Sequence, residues 1–270
     1  MNTQVSLALI GCGKMGSALL RGWADQAFIK NIHVVDPHLD DAVGHPKVTY
    51  YPGVTALGDK IINADIVILA VKPQVMDKAC EQIKPLISGK ALILSIAAGQ
   101  TVASFERRFG PDRAIIRAMP NTPAAIGKGI TVMCANGLAS AGQKKNAEKL
   151  LAASGAVEWI SDENLMDAVT ALSGSGPAYV FLLIEILARA GEKQGLPADL
   201  AMKLARQTVI GSAALAEHEA KTPAETLRQN VTSPGGTTAA ALEILMKGEL
   251  QALYDRALAA ATKRGKELKS

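Results

Sequence analysis

The chain has 270 residues, a formal net charge of +4, 49% hydrophobic residues and 20% charged residues. This balance is typical of a chain that forms a folded core, and it excludes an intrinsically disordered protein. Aromatic residues make up only 4% and the basic residues are scattered, so neither a nucleic-acid surface nor a basic membrane-binding patch is indicated.

The chain begins without the features of a targeting segment. It has no basic start, and its first apolar run is too short to be a signal peptide or a membrane span. The three cysteines, Cys12, Cys80 and Cys134, are far apart and form no paired motif. We therefore expect reduced thiols in a cytoplasmic protein.

The first part of the chain alternates between short apolar runs and segments with helical spacing. Strands are predicted at residues 5–10, 32–35, 66–71, 91–96, 114–118, 130–134 and 156–160. Helices are predicted at residues 15–27, 75–87, 101–109 and 141–153. Unbroken apolar runs that alternate with helices indicate buried parallel strands. We expect a doubly wound α/β domain over residues 1–162.

The pattern changes after Asp162, because no further strand-like run follows. Helices are predicted at residues 164–172, 176–194, 197–220, 223–230, 236–246 and 249–266. Prolines lie at or near the starts of several of these segments, where a missing N–H costs little. We expect an all-α domain over residues 163–270.

One of these helices is apolar on every face at its start, in the segment Ala178-Tyr179-Val180-Phe181-Leu182-Leu183-Ile184. Such a helix must be buried on all sides, and a helical domain of this size has little room for it. Glu185 and Arg189 argue against a span through lipid. We expect a subunit interface; the alternative is an ordinary central core helix.

A glycine-rich loop follows the first predicted strand and opens a predicted helix. Its sequence is Gly11-Cys12-Gly13-Lys14-Met15-Gly16, the pattern GxGxxG. In this context the pattern is typical of a dinucleotide-binding loop, whose glycines allow a tight turn, an approaching pyrophosphate and close helix packing. The helix N-terminus favours the phosphates. The alternative is a glycine turn in another kind of α/β protein.

Asp36 ends the second predicted strand, 20 residues beyond Gly16, where an acid that binds the adenosine ribose is expected. A carboxylate there accepts ribose hydroxyls and repels a 2′-phosphate. The nearest basic residues that follow are His38 and Lys47, and no arginine follows closely. These residues alone favour NADH over NADPH.

Acid–base candidates are few. None of the four histidines has a partnering motif, and no pattern in the sequence suggests a metal site. The reaction therefore needs little proton transfer, or takes its proton from a hydroxyl group.

The segment 231–238 offers hydroxyls and glycines at a helix start, which suits a carboxylate; the alternative is plain N-capping. The segment 172–179, also rich in glycine, has a helix boundary as its alternative interpretation.

The sequence resembles the pyrroline-5-carboxylate reductase family over nearly its whole length. The residues that carry the resemblance are GCGKMG at 11–16, AVKPQ at 70–74, IAAG at 96–99, RAMPNTP at 117–123, DAVTALSGSGPAY at 167–179 and NVTSPGGTT at 230–238. The resemblance implies a Rossmann domain followed by a helical dimerisation domain. It implies homodimers, which some members assemble into decamers, and hydride transfer from NADPH or NADH to the C=N carbon of 1-pyrroline-5-carboxylate, which yields L-proline.

The resemblance also implies residue roles. Around the cofactor it places Gly11, Cys12, Gly13, Lys14, Met15, Gly16, Ala70, Val71, Lys72, Pro73, Ile96, Ala97, Ala98 and Asn230. Around the substrate it places Glu163, Ser233, Gly235, Gly236, Thr237 and Thr238. Thr238 is the expected proton donor to the imine nitrogen. Members of the family often carry Ser or Asn-Arg after the second strand, where this chain has Asp36-Pro37-His38.

Two other functions compete. A β-hydroxyacid dehydrogenase shares the glycine-rich start, but that family places a catalytic lysine on the first long helix of its second domain. Here no lysine occurs on that helix before Lys193, at its far end. A dinucleotide-responsive binding or regulatory protein is the other alternative, and the intact segment 230–238 argues against it.

Overall fold

The computed structural model describes residues 4–38, 43–57 and 63–268. Eight strands form one sheet: β1 (Val5–Ile10), β2 (Ile29–Val35), β3 (Val48–Tyr51), β4 (Ile66–Leu69), β5 (Leu92–Ser95), β6 (Ile115–Met119), β7 (Gly129–Ala135) and β8 (Gly155–Trp159). Their order is β3-β2-β1-β4-β5-β6-β7-β8. The direction of winding reverses between β1 and β4, so the predicted doubly wound, Rossmann-type fold is confirmed.

One pairing differs from the predicted parallel sheet. Strand β7 runs antiparallel to β6, with Arg117 opposite Cys134, whereas β8 is again parallel to β7. The connection from Met119 to Gly129 contains only a short 3₁₀ helix, Thr122–Ile126. A parallel crossover needs about a dozen or more residues, so this short link requires an antiparallel neighbour.

Helices cover both faces of the sheet. They are α1 (Lys14–Ala24), α2 (Val54–Leu57), α3 (Met76–Ile83), α4 (Val102–Phe109) and α5 (Ala141–Ala152). Alternate residues of β1 enter different cores: Leu7 and Leu9 join the cluster around Trp23, while Ala8 and Ile10 join the cluster around Phe105. The sheet is therefore buried on both faces, which explains why its strands read as continuous apolar runs.

The predicted apolar runs all form strands, but sequence reasoning missed β3 and α2. Strand β3 has four residues at the sheet edge, and only Tyr51 among them is buried. Its sequence, VTYY, therefore lacks the apolar continuity of the central strands. Several helices are also shorter than predicted; α1, for example, ends at Ala24.

The chain divides into two compact units, residues 1–175 with 261–270, and residues 176–260. Residues 163–175 contain a 3₁₀ turn (Glu163–Leu165), α6 (Met166–Val169) and a π-helical turn (Thr170–Gly174). They pack with the first unit: Glu163 forms an ion pair with Arg117, and the Ser173 carbonyl accepts a hydrogen bond from Asn121. The compact boundary therefore lies beyond residue 162, where the sequence pattern changes.

The second unit is helical, as predicted. Its helices are α7 (Gly176–Lys193), α8 (Ala198–His218), α9 (Ala224–Asn230), α10 (Thr237–Leu245) and most of α11 (Glu249–Glu267). The apolar side chains of α7 are exposed in the single chain; Phe181 is 60% exposed and Ile186 50%. This exposed apolar surface is what the expected subunit interface requires.

Candidate functional site

The loops that follow β1, β2, β4 and β5 meet at the carboxyl edge of the sheet. The Gly11 N–H donates to the Val35 carbonyl at 2.8 Å, and the Ala70 N–H donates to the Ile10 carbonyl at 2.8 Å. The Ile96 N–H donates to Leu69 at 3.1 Å. These backbone bonds hold the loops in register at the switch point of the sheet, where such folds bind their ligands.

Two glycines of the loop after β1 are required by the fold itself. Gly11 has φ +89°, and a Cβ atom there would lie 2.8 Å from Val71 Cγ1 and 2.9 Å from the Ala70 carbonyl. A Cβ on Gly16 would lie 2.9 Å from the Gly11 carbonyl oxygen. Larger residues at these positions would push α1 and the β4 loop away from the turn.

Gly13 differs, because a Cβ there would meet no atom within 4 Å. Because Gly13 has no side chain, the space beside the start of α1 stays open. Gly13 is the N-cap of this helix, so no side chain at that position covers the first N–H groups. The first intrahelical bond runs from the Ser17 N–H to the Gly13 carbonyl. The N–H groups of Lys14, Met15 and Gly16 therefore point out of the helix end, ready for an anion such as a pyrophosphate. The loop fits a dinucleotide.

Asp36 links the loop after β1 with the turn after β2. Its Oδ2 accepts a hydrogen bond from the Cys12 N–H at 2.5 Å, and its Oδ1 accepts one from the His38 N–H at 2.8 Å. Carboxylate oxygens have further lone pairs, so Asp36 can still accept ribose hydroxyls. Lys47, just before β3, donates to the Gln26 carbonyl, just before β2. This contact lies at the amino ends of the strands, away from Asp36.

The loops after β4 and β5 present different surfaces. Ala70 and Val71 are half-buried, and Lys72 and Pro73 are exposed. Ile96 and Ala97 are each only 7% exposed, whereas Ala98 is exposed. The described part of the first unit thus brings together, from four strand ends, the predicted cofactor residues other than Asn230, which lies in the second unit.

The second unit contains the predicted substrate segment between α9 and α10. Gly235 has φ +69°, and the Gly236 N–H donates to the Ser233 carbonyl at 3.0 Å. This turn leads into α10, where Gly236 is the N-cap without a side-chain cap and Thr237 and Thr238 begin the helix. Asn230, Ser233 and Thr237 are exposed, and Thr238 is half-buried. The turn and helix start form an anion-binding arrangement with hydroxyls beside it.

Glu163 has a different environment from the one expected for a substrate-contacting residue. Its Oε1 accepts hydrogen bonds from Arg117 Nη1 at 2.8 Å and from the Val102 N–H at 2.9 Å. Arg117 is almost fully buried, with its side chain 2% exposed. Sequence reasoning quoted the segment RAMPNTP but assigned no role to Arg117 or Asn121.

Two histidines among the described residues contact another titratable side chain. His33 Nδ1 lies 3.2 Å from the Tyr51 hydroxyl, and His45 Nε2 lies 3.6 Å from Asp25. Burial raises the pKa of Cys80 to about 11, and burial together with the charge of Glu163 raises that of Cys134 to about 11. Within the described ranges, no group of His, Cys, Asp and Glu has the arrangement of a metal site.

The stretch Glu163–Lys193 is the one candidate membrane span among the described residues. It has a mean hydropathy of 1.5 over its most apolar window, of which 11% is buried. Glu185 and Arg189 form an ion pair of 2.8 Å on this stretch. Length and composition alone support it as a span, and a subunit interface has the same composition.

Comparison with known proteins matches both parts of the chain. The family profile described as pyrroline-5-carboxylate reductase dimerisation matches residues 163–268. The profile described as NADP oxidoreductase, coenzyme F420-dependent, matches residues 6–99. The pyrroline-5-carboxylate reductase of Pseudomonas aeruginosa is 41% identical over 263 residues, which cover 97% of this chain and 96% of that protein.

Solved structures show the same similarity. A pyrroline-5-carboxylate reductase from Coxiella burnetii has a TM-score of 0.90 and 38% identity, and the match covers 99% of this chain and 100% of that one. The pyrroline carboxylate reductase of Plasmodium falciparum, solved with NADP bound, has a TM-score of 0.83 and 32% identity over 98% of both chains.

Proposed function

Because the chain belongs to the pyrroline-5-carboxylate reductase family, we propose that it reduces the C=N bond of 1-pyrroline-5-carboxylate to L-proline, the last step of proline biosynthesis. It is an oxidoreductase that acts on a cyclic imine with a nicotinamide dinucleotide. The observation that carries this proposal is the glycine-rich loop at the switch point of the sheet, where Gly13 leaves space beside the start of α1.

The reaction requires little proton transfer from groups of the protein. The reduced nicotinamide, when bound, supplies a hydride to the imine carbon, and the ring nitrogen takes a proton. A cyclic imine is readily protonated, so the protein's main tasks are to position the two reactants and to stabilise the charges. This agrees with the residues that we assign to the site, which include no histidine.

We assign the cofactor to the first unit. The loop Gly11–Gly16 and the start of α1 would hold the pyrophosphate, because that loop offers backbone N–H groups and an open side at Gly13. The loops after β4 and β5 form the side of the nicotinamide and its ribose, with Ala70, Val71, Lys72, Pro73, Ile96, Ala97 and Ala98. Asn230 is assigned to the cofactor from family resemblance.

We assign the substrate to the turn before α10. The N–H groups at the start of α10 bind its carboxylate, with Ser233, Gly235, Gly236 and Thr237 shaping the turn. We assign the proton donor to the imine nitrogen to Thr238, because it is a half-buried hydroxyl residue in the first turn of α10. Residues 163–270 are then the substrate-binding and dimerisation domain, and residues 1–162 the cofactor domain.

Asp36 supports a preference for NADH, although the profile that matches residues 6–99 is described as an NADP oxidoreductase. Its carboxylate is held by two backbone N–H groups, so it cannot turn away from the adenosine ribose without breaking them. A 2′-phosphate would be brought against this negative charge. Lys47, one of the nearest basic residues, is engaged at the amino ends of the strands, and the sequence continues after His38 with Leu39, Asp40 and Asp41.

We further propose a cytoplasmic homodimer formed through the C-terminal helices. The exposed apolar side chains of α7 support this, as does the match to a dimerisation profile. The decamer implied by the family resemblance remains a prediction, and the mass of the native particle in solution tests it.

The test is the oxidation of NADH and NADPH, followed in parallel with 1-pyrroline-5-carboxylate as substrate. We expect turnover with formation of proline. Because of Asp36, we also expect a higher kcat/KM for NADH than for NADPH. A folded protein that binds either cofactor but reduces no imine would contradict the proposal and favour the regulatory or β-hydroxyacid alternatives.

A further inference from the structure

We propose that Glu163 is a positioning residue for the loop between β5 and α4, and that it acts without touching the substrate. This inference rests on the proposed function, which assigns Ile96, Ala97 and Ala98 in that loop to the nicotinamide side. It replaces the direct substrate contact that the sequence suggested for Glu163.

The loop is fixed at its start by Ser95, the last residue of β5. The Ser95 hydroxyl accepts a hydrogen bond from the Ala97 N–H at 3.2 Å, and the Ile96 N–H donates to Leu69 at 3.1 Å. Gly99 then turns with φ +75°, and a Cβ there would lie 2.9 Å from the Leu268 carbonyl oxygen. The beginning and middle of the loop therefore have little freedom.

Glu163 fixes the other end. Its Oε1 accepts the N–H of Val102, the first residue of α4, at 2.9 Å. The first N–H groups of a helix have no partner within the helix, so an acceptor from elsewhere in the chain sets where the helix begins. Thr101 is the N-cap and accepts the Ser104 N–H of the same turn at 3.1 Å. Glu163 thus completes the capping of α4 directly after the nicotinamide loop.

Arg117 holds the Glu163 carboxylate beside the Val102 N–H. Its Nη1 lies 2.8 Å from the same Oε1, and in the sheet Arg117 pairs with Ser95. Arg117 is therefore next to both residues that fix the loop: its backbone pairs with Ser95 in the sheet, and its side chain binds Glu163. An ion pair with a buried guanidinium is weak support for stability by itself, because desolvation of the buried charge offsets much of the attraction. Positioning of the adjacent loop gives the pair a role that an apolar pair would not fill.

The test separates positioning from stability with three variants of the full-length protein. Glu163→Gln keeps an oxygen acceptor for Val102 but loses the charge. Glu163→Ala loses both. The double variant Arg117→Met with Glu163→Met removes both charges together, so that no buried guanidinium is left unpaired while the acceptor for Val102 is still missing. Glu158→Ala, which removes an exposed glutamate on β8, is the matched control.

The readouts are the melting temperature, the Kd of NADH by fluorescence titration, and kcat with the KM of each reactant. For Glu163→Ala we expect a Kd of NADH raised about tenfold with a lower kcat, and for Glu163→Gln a Kd within about threefold of the parent. We expect the double variant to melt at the temperature of the parent protein, while its Kd of NADH stays raised.

Three results would overturn the proposal. Recovery of both the melting temperature and the Kd in the double variant would leave the pair a purely structural role. An unchanged Kd and kcat in Glu163→Ala would do the same. A selective rise in the KM of the imine, equal in Glu163→Gln and Glu163→Ala, would indicate direct substrate contact. Absence of imine reduction by the parent protein contradicts the proposed function instead, and the NADH titration still tests Glu163.

Discussion

The carboxylate of Asp36 accepts a hydrogen bond of 2.5 Å from the backbone N–H of Cys12, which ties the end of β2 to the glycine-rich loop. The same carboxylate is the group we propose to face the adenosine ribose. In this proposal, the side chain that holds the phosphate loop to β2 is also the one that selects between NADH and NADPH.

Replacing Asp36 by serine should shift cofactor use toward NADPH. We expect the ratio of kcat/KM for NADPH to that for NADH to rise by about tenfold, or ~1.4 kcal/mol, because the charge that repels a 2′-phosphate is removed. Steady-state rates with both cofactors measure it. Asp25→Ser, which removes an exposed carboxylate after α1, is the control. An unchanged ratio would show that Asp36 does not face the ribose.

Thr238→Ala should lower kcat while the Kd of NADH stays close to the parent value. The loss of one hydrogen bond to a charged group costs ~1.5–3 kcal/mol, which corresponds to about 10- to 150-fold in rate. Thr238→Ser keeps the hydroxyl and should retain most of the activity. Equal kcat in the alanine variant and the parent would remove Thr238 from the proton-donor role.

Glycine substitutions in the phosphate loop should separate folding from binding. Gly11→Ala is expected to lose about 1–3 kcal/mol of folding stability, because Gly11 has φ +89° and a Cβ there would contact the β4 loop. Gly13→Ala should melt close to the parent and bind NADH at least about tenfold more weakly, since its methyl group would occupy the pyrophosphate space. Thermal melts and fluorescence titrations measure both. Normal binding by Gly13→Ala would contradict the placement of the pyrophosphate.

Phe181→Glu should dissociate the dimer. Phe181 is 60% exposed in the single chain, so covering it contributes about 1–2 kcal/mol, and a symmetric interface loses this twice, roughly 2–4 kcal/mol per dimer. Light scattering after size-exclusion chromatography should show monomers at concentrations where the parent is dimeric. Leu138→Glu, at a side chain that is 50% exposed in the first unit, is the matched control. A dimeric Phe181→Glu protein would place the interface on another surface.

The thiols should differ in reactivity. Burial raises the pKa of Cys80 and of Cys134 to about 11, so at pH 8 only about one molecule in a thousand carries either thiolate. Cys12 is half-buried at the loop and should react with a disulfide reagent, more slowly when NADH is present. One thiol should react in the native protein and three in denaturant. Cys12→Ser should leave none reactive under native conditions; rapid reaction of that variant would contradict the burial of the other two.

The sequence was most informative where local chemistry decides the structure. The strands β1, β4 and β5 could be predicted because burial on both faces leaves an uninterrupted apolar run. The role of Gly11 could be predicted because a positive φ in a tight turn requires glycine. The helices of the second unit followed from spacing and from prolines near their starts.

Contacts between distant parts of the chain could not be predicted in this way. Glu163 and Arg117 are 46 residues apart, and only the folded sheet places the guanidinium beside the carboxylate. Asp36 was identified by its position after β2, but its bond to the Cys12 N–H depends on how two loops pack. Strand β3 was missed because an edge strand with one buried residue carries little hydrophobic signal.

The homodimer that we propose through α7 would couple the folding stability of the protein to its concentration. Because association would cover the exposed apolar side chains of α7, the melting temperature should rise with total protein concentration, and variants are comparable only when measured at equal concentrations. Chains of two kinds produced in the same cell would exchange partners through the same surface. An inactive chain that still dimerises would then withdraw active chains into mixed dimers.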